Sequence, residues 1–296
     1  MVVSFEVSVV VEHHELASAE CSVAMTSEVM TLGSSALTLM HMTAAVGVML
    51  REWRESRSLS QQALSEVSTV STRHLSRVET GRAQPTPQMI LHLAEHLEIP
   101  LRERNRILLA GGYAPRYADS ALDDASLASV MSGLRDLLDA HLPYPALLLD
   151  DHWDVVDANS AVETMLEGCS AELLEPPINV IRLCVHPDGL APRIGNLPVW
   201  AAHLHQQLRH RAAQTRDERH LALTQEVADL IDVDTLPPVG GPVVVLELAT
   251  ETGMLSFFST AARLTTATDA ALEGLHLETF LPADEHTRAV YGATAR

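Results

Sequence analysis

The sequence predicts two domains: an all-α domain of five short helices, followed by an α+β domain with one mostly antiparallel sheet. The chain has 296 residues, which is long enough for two hydrophobic cores. Apolar residues recur at helical spacing from residue 45 to residue 110. Farther along, strand-like runs stand at both ends of a largely helical stretch, a pattern typical of α+β domains.

Start and stop signals define the five helices of the first domain. The first helix is predicted from the spacing of Val46, Leu50 and Trp53. The start signals of the other four are Ser60, Ser71, Thr86-Pro87 and Pro100, and the stop signals are Gly81 and Gly111-Gly112. We expect the second helix to bury Ala63, Leu64 and Val67.

Two hairpin signals frame the second domain. The predicted strands are 146–149 and 153–156, turned by Asp150-Asp151, then 243–248 and 254–259, turned at Thr252-Gly253, and a fifth at 277–281. Helical patterns occupy 122–141, 159–168 and 198–232. The strands therefore lie at the two ends of the domain with helices between them.

We predict five segments along the chain. Residues 1–41 form an N-terminal extension with no recognisable motif, expected to be poorly ordered because termini are ordered only when tied down. The other segments are the helical domain at 42–112, a linker with a helix at 113–142, the α+β domain at 143–286 and a C-terminal tail at 287–296.

The charge is unevenly distributed. The formal net charge is −19, and all 20 basic residues are arginines. Residues 41–116 hold ten arginines against seven acidic residues, a net of +3, so the rest of the chain carries −22. An acidic remainder repels phosphate, so any nucleic-acid contact should be confined to the helical domain. Solubility alone is the other interpretation of the acidity.

The three cysteines, Cys21, Cys169 and Cys184, have neither a metal-binding spacing nor a disulfide framework. No apolar run is long enough to span a bilayer, and no basic residue precedes Arg51, where a secretory signal would need one. We expect a cytoplasmic protein that is not inserted in a membrane.

The third predicted helix carries polar side chains where DNA bases would lie. Arg73 and Arg77 are four residues apart and share one face, with Thr72 and Ser76 beside them, while Leu75 points into the core. The arginine fork matches the O6 and N7 acceptors of guanine. We predict base contacts from these four polar residues, and an ordinary solvated face is the alternative. The predicted phosphate contacts are Gln61, Ser71, Thr80 and Arg82.

Residues 50–117 resemble the helix-turn-helix module of phage-repressor-like (XRE) regulators, and more closely that of the MmyB-like branch. The resemblance is carried by Leu59-Ser60-Gln61, 70–76 (VSTRHLS), 78–82 (VETGR), 100–105 (PLRERN) and 110–115 (AGGYAP). It implies that Thr72, Arg73 and Arg77 meet bases and that Gln61 and Arg82 meet phosphates. It also implies an ion pair between Arg54 and Glu79.

Two positions depart from the family pattern. Thr69 replaces the turn glycine and resists a positive φ, and Ser65 replaces a small alanine packed between the two helices. Either change is expected to loosen the turn or weaken DNA binding without abolishing the motif.

The resemblance continues through the second domain. It is carried by 147–150 (LLLD), 153–159 (WDVVDAN), 179–189 (NVIRLCVHPDG), Pro192-Arg193-Ile194, 255–260 (LSFFST) and 280–284 (FLPAD). In all it covers about 43–286 and implies a PAS-like fold with a hydrophobic cavity suited to a fatty acyl chain.

Candidate ligand contacts within that domain are apolar, with one arginine for an acidic head group. They are Met165, Leu166, Val180, Leu183, Val199, Trp200, Leu204 and Phe257, with Arg193 as the arginine. The alternative is that the apolar residues belong to the core and that Arg193 is a surface charge.

Signals for catalysis or a resident cofactor are absent. His186-Pro187-Asp188-Gly189 is typical of a turn, and the adjacent His13-His14-Glu15 cannot direct both imidazoles at one ion. No phosphate-binding glycine loop, nucleophile elbow or zinc spacing occurs. We therefore predict no enzyme and no metal.

Together these observations predict a sequence-specific DNA-binding transcription regulator controlled by a small apolar, fatty-acyl-like ligand. We expect a homodimer on a palindromic double-stranded operator with half-sites about 34–36 Å apart. The alternative is a protein-interaction module whose DNA binding is vestigial.

Overall fold

The computed structural model describes residues 45–240 and 242–294. The predicted N-terminal extension, with Cys21 and His13-His14-Glu15, lies outside the described residues.

Five helices form the N-terminal domain, in the predicted order. They are α1 (45–56), α2 (Gln61–Ser68), α3 (Thr72–Glu79), α4 (Pro87–His96) and α5 (Leu101–Ala110). The predicted caps are present: the hydroxyls of Ser60, Ser71 and Thr86 accept backbone N–H groups of the first turns of α2, α3 and α4. Gly81 takes a positive φ of 69° just after α3.

The core of this domain follows the predicted helical faces, with one exception. Leu50, Leu64 and Leu75 are buried in one cluster, whereas Val67 is 54% exposed. The prediction for Val67 is wrong because α2 is only two turns long and its inner face is already filled by Leu64 and Ser68. Gly47 brings α1 close to α3, since a Cβ there would lie 2.2 Å from the Val78 carbonyl oxygen.

A helix links the two domains and packs with the second. The helix α6 (Ala128–Ala140) is shorter than the pattern at 122–141 indicated. Leu134 and Leu138 of α6 pack on one face of the sheet together with Leu148. Ser120, in the segment before α6, donates its hydroxyl to Asp269 at 2.6 Å.

The second domain contains one five-stranded antiparallel sheet in the order β2-β1-β5-β4-β3. The strands are β1 (Ala146–Leu149), β2 (Val155–Ala158), β3 (Leu246–Thr250), β4 (Gly253–Arg263) and β5 (His276–Pro282). This arrangement confirms the predicted fold class, an all-α domain followed by a PAS-like α+β domain.

The first hairpin differs from its prediction. The second strand was expected at 153–156, but Trp153 has a φ of 63° and belongs to the turn, so β2 begins two residues later. Trp153 is buried in the turn, and a buried apolar residue in a turn has the same sequence signature as one in a strand.

The helices of this domain lie between β2 and β3 and after β4 and β5. They are α7 (Glu163–Leu166), α8 (Val180–Val185), α9 (Leu197–Thr215), α10 (Glu218–Leu230), α11 (Ala270–Glu273) and α12 (Glu285–Thr294). The sequence patterns did not reveal α8, α11 or α12. The last of these covers most of the segment predicted as a C-terminal tail, and Thr287 of α12 accepts the Ser256 N–H of β4.

Side chains alternate between the two faces of the sheet. Leu147, Leu149 and Phe257 point to the inner face, where α8, α9 and α10 contribute to the main core. Ala146 and Leu148 point to the outer face, which α6 covers. No helix in the described part of the chain is long and apolar enough to cross a membrane.

Candidate nucleic-acid interface and ligand-binding domain

The helix-turn-helix is built from α2, a tight turn and α3. Thr69 ends α2 with φ 59° and ψ 10°, the left-handed conformation that the glycine of the family pattern adopts without strain. The Ser71 hydroxyl then accepts the His74 N–H at 3.3 Å and starts α3. The threonine therefore does not prevent the turn, but it adopts a conformation that β-branched residues disfavour.

The face of α3 that carries the predicted base contacts points to solvent. Thr72, Arg73 and Arg77 are exposed and Ser76 is half-buried, while Leu75 on the opposite face is only 1% exposed. This split follows from helical periodicity, since residues 73 and 77 are four apart. The two guanidinium groups thus project from one side of a helix whose other side is anchored in the core.

Arg73, Arg77 and the nearby Arg82 make no side-chain hydrogen bond or ion pair with any described residue. By contrast, Arg51 pairs with Glu55 in the same domain, and Arg102 of α5 pairs with Asp119 in the segment before α6. The three unpaired guanidinium groups leave a local excess of positive charge around α3.

A buried ion pair fastens α3 to α1. Arg54 Nε lies 2.7 Å from Glu79 Oε1 and Arg54 Nη2 lies 2.8 Å from Glu79 Oε2, with both residues 7% exposed. Arg54 also donates to the Leu59 carbonyl at 2.7 Å. The hydrogen bonds that Arg54 donates to Glu79 raise the pKa of Arg54. The ion pair expected from the resemblance is thus present, with the planar fork geometry that only arginine provides.

The predicted phosphate contacts stand around both ends of α3. Gln61 donates its side-chain amide to Glu79 Oε2 at 2.8 Å, so one of its donors belongs to the ion-pair cluster. Thr80 donates its hydroxyl to the Ser76 carbonyl at 2.7 Å. Ser71 caps α3, and Arg82 is exposed beyond its end. Their phosphate contacts stay predictions.

The second domain docks on the side of the module that carries α1 and α5. Arg216 pairs with Glu52 at 3.2 Å, and Arg57 donates to the Gln214 carbonyl at 3.2 Å. The Leu101 N–H at the start of α5 donates to Glu273 at 2.7 Å. Within the described residues, none of these contacts touches α3, so its outward face is left open.

A cavity of about 610 Å³ lies at one end of the inner sheet face, between α9 and the strands β4 and β5. We call it the polar cavity, because nine of its thirteen lining residues are polar. The polar lining residues include Gln207, Arg211, Ser259, Arg263, His276 and Glu278. None of them was singled out from the sequence, since they are brought together by strand register and helix packing.

Family comparisons match both halves of the chain. Residues 45–107 match a helix-turn-helix domain. Residues 130–292, more than half of the chain, match the MmyB-like transcription regulator ligand binding domain. The chain belongs to the MmyB-like transcription regulators. The ligand-binding match begins inside the segment predicted as a linker, in agreement with the packing of α6 on the sheet of this regulator.

Other comparisons add little to the family match. No curated protein matches the regulator. One similar solved structure is described as that of an RNA-binding light-oxygen-voltage receptor. It is 14% identical, the match covers 92% of this chain and 68% of that chain, and its TM-score is 0.25, which does not establish a shared fold.

The predicted apolar ligand contacts lie in the main core of the regulator. Met165, Leu183, Trp200, Leu204 and Phe257 are buried in it. Leu166 and Val180 pack against it and Val199 is half-buried. None of the eight lines the polar cavity. Their role as a ligand lining stays a prediction.

Arg193, predicted to meet an acidic head group, is engaged with the backbone. Its guanidinium donates to the carbonyls of Ala249 and Met165, each at 3.0 Å, and to that of Glu167. These bonds tie the segment after α7 to the end of β3. A head-group contact by Arg193 stays a prediction, and only the guanidinium N–H groups outside these three hydrogen bonds are left to make it.

A histidine pair beside the polar cavity has the composition of a metal site. His152, Asp217 and His220 place their ligand atoms within 4.8 Å of one another. Their ring nitrogens are hydrogen-bonded, however: His152 Nε2 to Asp217 at 2.9 Å, and His220 to Thr215 at 2.7 Å and to the Asp151 carbonyl at 2.8 Å. The cluster is thus satisfied as a structural network that fastens α10 to the first hairpin.

The His186–Gly189 segment and the two described cysteines have ordinary structural environments. Residues 187–190 form a turn, as predicted for the His186–Gly189 segment. Cys169 and Cys184 are free thiols, and burial raises the pKa of both, that of Cys184 to about 12. At neutral pH such thiols are protonated and poorly nucleophilic.

Proposed function

We propose that this DNA-binding MmyB-like regulator reads a palindromic operator as a cytoplasmic homodimer, with α3 in the major groove. In this proposal Thr72, Arg73, Ser76 and Arg77 contact base edges. Gln61, Ser71, Thr80 and Arg82 contact the phosphate backbone. The observation that carries the proposal is the unpaired, exposed arginine pair on a helix held rigidly from behind by Arg54 and Glu79.

Electrostatics support this placement of the duplex. The module is the basic part of an acidic chain. Arg73 and Arg77 on α3 and Arg82 just after it have no ion-pair partner among the described residues. A bidentate arginine–guanine contact contributes about 1–3 kcal/mol of discrimination against other bases. One module reads only a few base pairs, so a dimer on two half-sites is needed for specific binding.

The test begins with selection of DNA fragments by the full-length protein and measurement of their affinity by fluorescence anisotropy at fixed salt. We expect Arg73→Ala and Arg77→Ala each to reduce discrimination between the selected site and scrambled DNA by about 5- to 150-fold. Arg82→Ala should weaken binding to all sequences and reduce the salt slope by about 1.

The matched control is Arg106→Ala, which removes an exposed arginine from α5, the helix that contacts the second domain. It should leave specificity unchanged. If Arg73→Ala and Arg77→Ala bound the selected site like the parent, α3 would not be the reading helix. If the parent formed no salt-dependent DNA complex, the protein-interaction alternative would replace this proposal.

We also propose that the second domain binds a small ligand that controls DNA binding. The resemblance implies a fatty-acyl-like molecule, and the nine residues named from the sequence are its candidate contacts. The family match supports ligand binding in general. Solvent extraction of purified protein followed by mass spectrometry tests the acyl ligand directly. Recovery of stoichiometric fatty acid would support it, and its absence together with failure of dodecanoate to bind would contradict it.

A further inference from the structure

The pairing of β4 with β5 places polar side chains of the cavity wall on one face of the sheet. In the register of β4 and β5, Arg263 lies opposite His276 and Ala261 opposite Glu278. Because side chains alternate, these positions share the inner face with Phe257 and Phe280 farther along the same strands. The inner face therefore changes from apolar to polar along its length, and the cavity opens over the polar end.

The helix α9 lies across this end of the sheet and closes the cavity from above. Gln207, Arg211 and Gln214 recur at spacings of four and three, so they share one side of the helix. Leu204 and Leu208 on the adjoining side are in the main core. The same helix thus seals the apolar half of the inner face and presents polar groups to the other half.

Two arginines of the cavity wall, Arg211 and Arg263, lie beside the same carboxylate, that of Asp151. Arg211 contacts Asp151 Oδ1, and Arg263 Nη1 lies 3.9 Å from the same oxygen. Burial, together with the neighbouring charge of Arg263, lowers the pKa of Arg211 to about 10. Glu273 also lies near both arginines, but it accepts the Leu101 N–H across the domain interface. Another anion beside these arginines would relieve their mutual repulsion.

Two buried nitrogen atoms in the cavity wall make no hydrogen bond with any described residue. They are Arg211 Nε and His276 Nδ1, and His276 is only 4% exposed. Asp151 Oδ1, which contacts Arg211 as an ion pair, likewise has no hydrogen-bond partner among the described residues. Buried polar groups in folded proteins are almost always hydrogen-bonded, so these unsatisfied atoms point to a bound group that forms hydrogen bonds at this end of the cavity. Glu278 is also in the wall, and burial raises the pKa of its carboxyl group.

We infer that the polar cavity binds a compact organic carboxylate, with its carboxylate on Arg211 and Arg263 and its hydrogen-bonding groups facing His276, Glu278 and Gln207. This site differs from the apolar core named for an acyl ligand, and its control of DNA binding would rest on the proposed function. An acyl chain does not suit it, because covering polar walls with methylene groups leaves them without partners. The apolar residues of the lining are Trp153, Val243, Val244 and Ala261.

The test is isothermal titration of the full-length protein with lactate, malate and succinate at matched ionic strength. Succinamide serves as the neutral isostere and dodecanoate as the acyl probe. We expect saturable binding of at least one of the three carboxylates and none of succinamide. Arg211→Met and Arg263→Met should each weaken that binding about tenfold or more, since each removes a charge-assisted hydrogen bond.

Matched variants separate binding from folding. Arg263 lies at the mouth of the cavity with 43% of its side chain exposed, so its replacement should not unfold the domain. Arg263→Lys keeps the charge without the fork and should bind with intermediate affinity. Arg288→Met, on the exposed side of α12, should bind like the parent. Circular dichroism before titration verifies that each variant is folded.

Several results would overturn the inference. They are binding of none of the three carboxylates, equal binding of succinamide, unchanged affinity in both arginine variants, or binding of dodecanoate alone. DNA affinity measured on the same samples distinguishes the two proposals. A parent that binds its selected DNA but no carboxylate contradicts this site and leaves the reading helix intact.

Discussion

Two pairs of arginines in this regulator have opposite environments. Arg73 and Arg77 are neighbours on one helix, exposed and without partners among the described residues. Arg211 and Arg263 come from a helix and a strand that are distant in sequence, line one cavity and share Asp151. The first pair projects from a helix into solvent, whereas the second lines a cavity, with Arg263 at its mouth.

The difference lies in what each pair can recognise. Exposed arginines attract the long, uniformly charged surface of a duplex, and their interactions are screened by salt. Arginines in a confined, partly desolvated cavity favour a ligand small enough to enter, and their interactions are screened less. In the two proposals, the first pair recognises a polymer and the second a small molecule, and the two tasks fall to different domains.

The largest expected effect comes from a third arginine, Arg54, which is buried behind α3. Replacing Arg54 with Met leaves Glu79 buried without its ion-pair partner and should destabilise the helical domain by about 3–5 kcal/mol. Arg51→Met, on the exposed side of the same helix, is the matched control and should change stability little. Urea unfolding monitored by circular dichroism measures both, and equal stabilities would show that the buried pair does not hold α3 in place.

Acid should affect the second domain through its buried histidines. Burial lowers the pKa of both His220 and His276 to about 4, below the value of about 6.5 in an unfolded chain. Both are neutral in the native state, so stability is complete above pH 6.5 and declines as the pH falls from 6.5 towards 4. Between pH 7 and pH 5, protonation of each histidine should lower the free energy of unfolding by about 2 kcal/mol.

His152 opposes this effect, because its hydrogen bond with Asp150 raises its pKa. Comparing His276→Asn with the parent isolates one histidine. The variant should lose less stability between pH 7 and pH 5 in thermal unfolding of the full chain. Identical pH slopes would show that His276 is not buried in neutral form.

The smallest expected effect concerns the turn before α3. Thr69 has φ 59°, so Thr69→Gly should relieve strain and stabilise the helical domain by about 0.5–1 kcal/mol, after allowance for the greater freedom of glycine in the unfolded chain. Thr80→Gly serves as the control, because Thr80 has a negative φ of −92°. Destabilisation by Thr69→Gly, measured in the same urea series, would show that the turn is relaxed with threonine.

Elements with local signals were predicted well. Ser60, Ser71 and Thr86 are N-caps in the structure, and α2, α3 and α4 begin directly after them. The short helices α8 and α11 were missed, because a helix of one or two turns shows too little periodicity to be recognised. Trp153 was wrongly predicted as a strand residue for a different reason. It lies in a turn, and residues distant in sequence bury its side chain there.

The sequence by itself determined the exposed face of α3, because residues four apart on a helix share a side whatever surrounds them. It also indicated the family, and with it the ion pair of Arg54 and Glu79. Only the tertiary structure decided that Arg211, Arg263 and His276 line one cavity. Their proximity arises from the pairing of β4 with β5 and the packing of α9 across them, which are contacts between distant segments that no local pattern records.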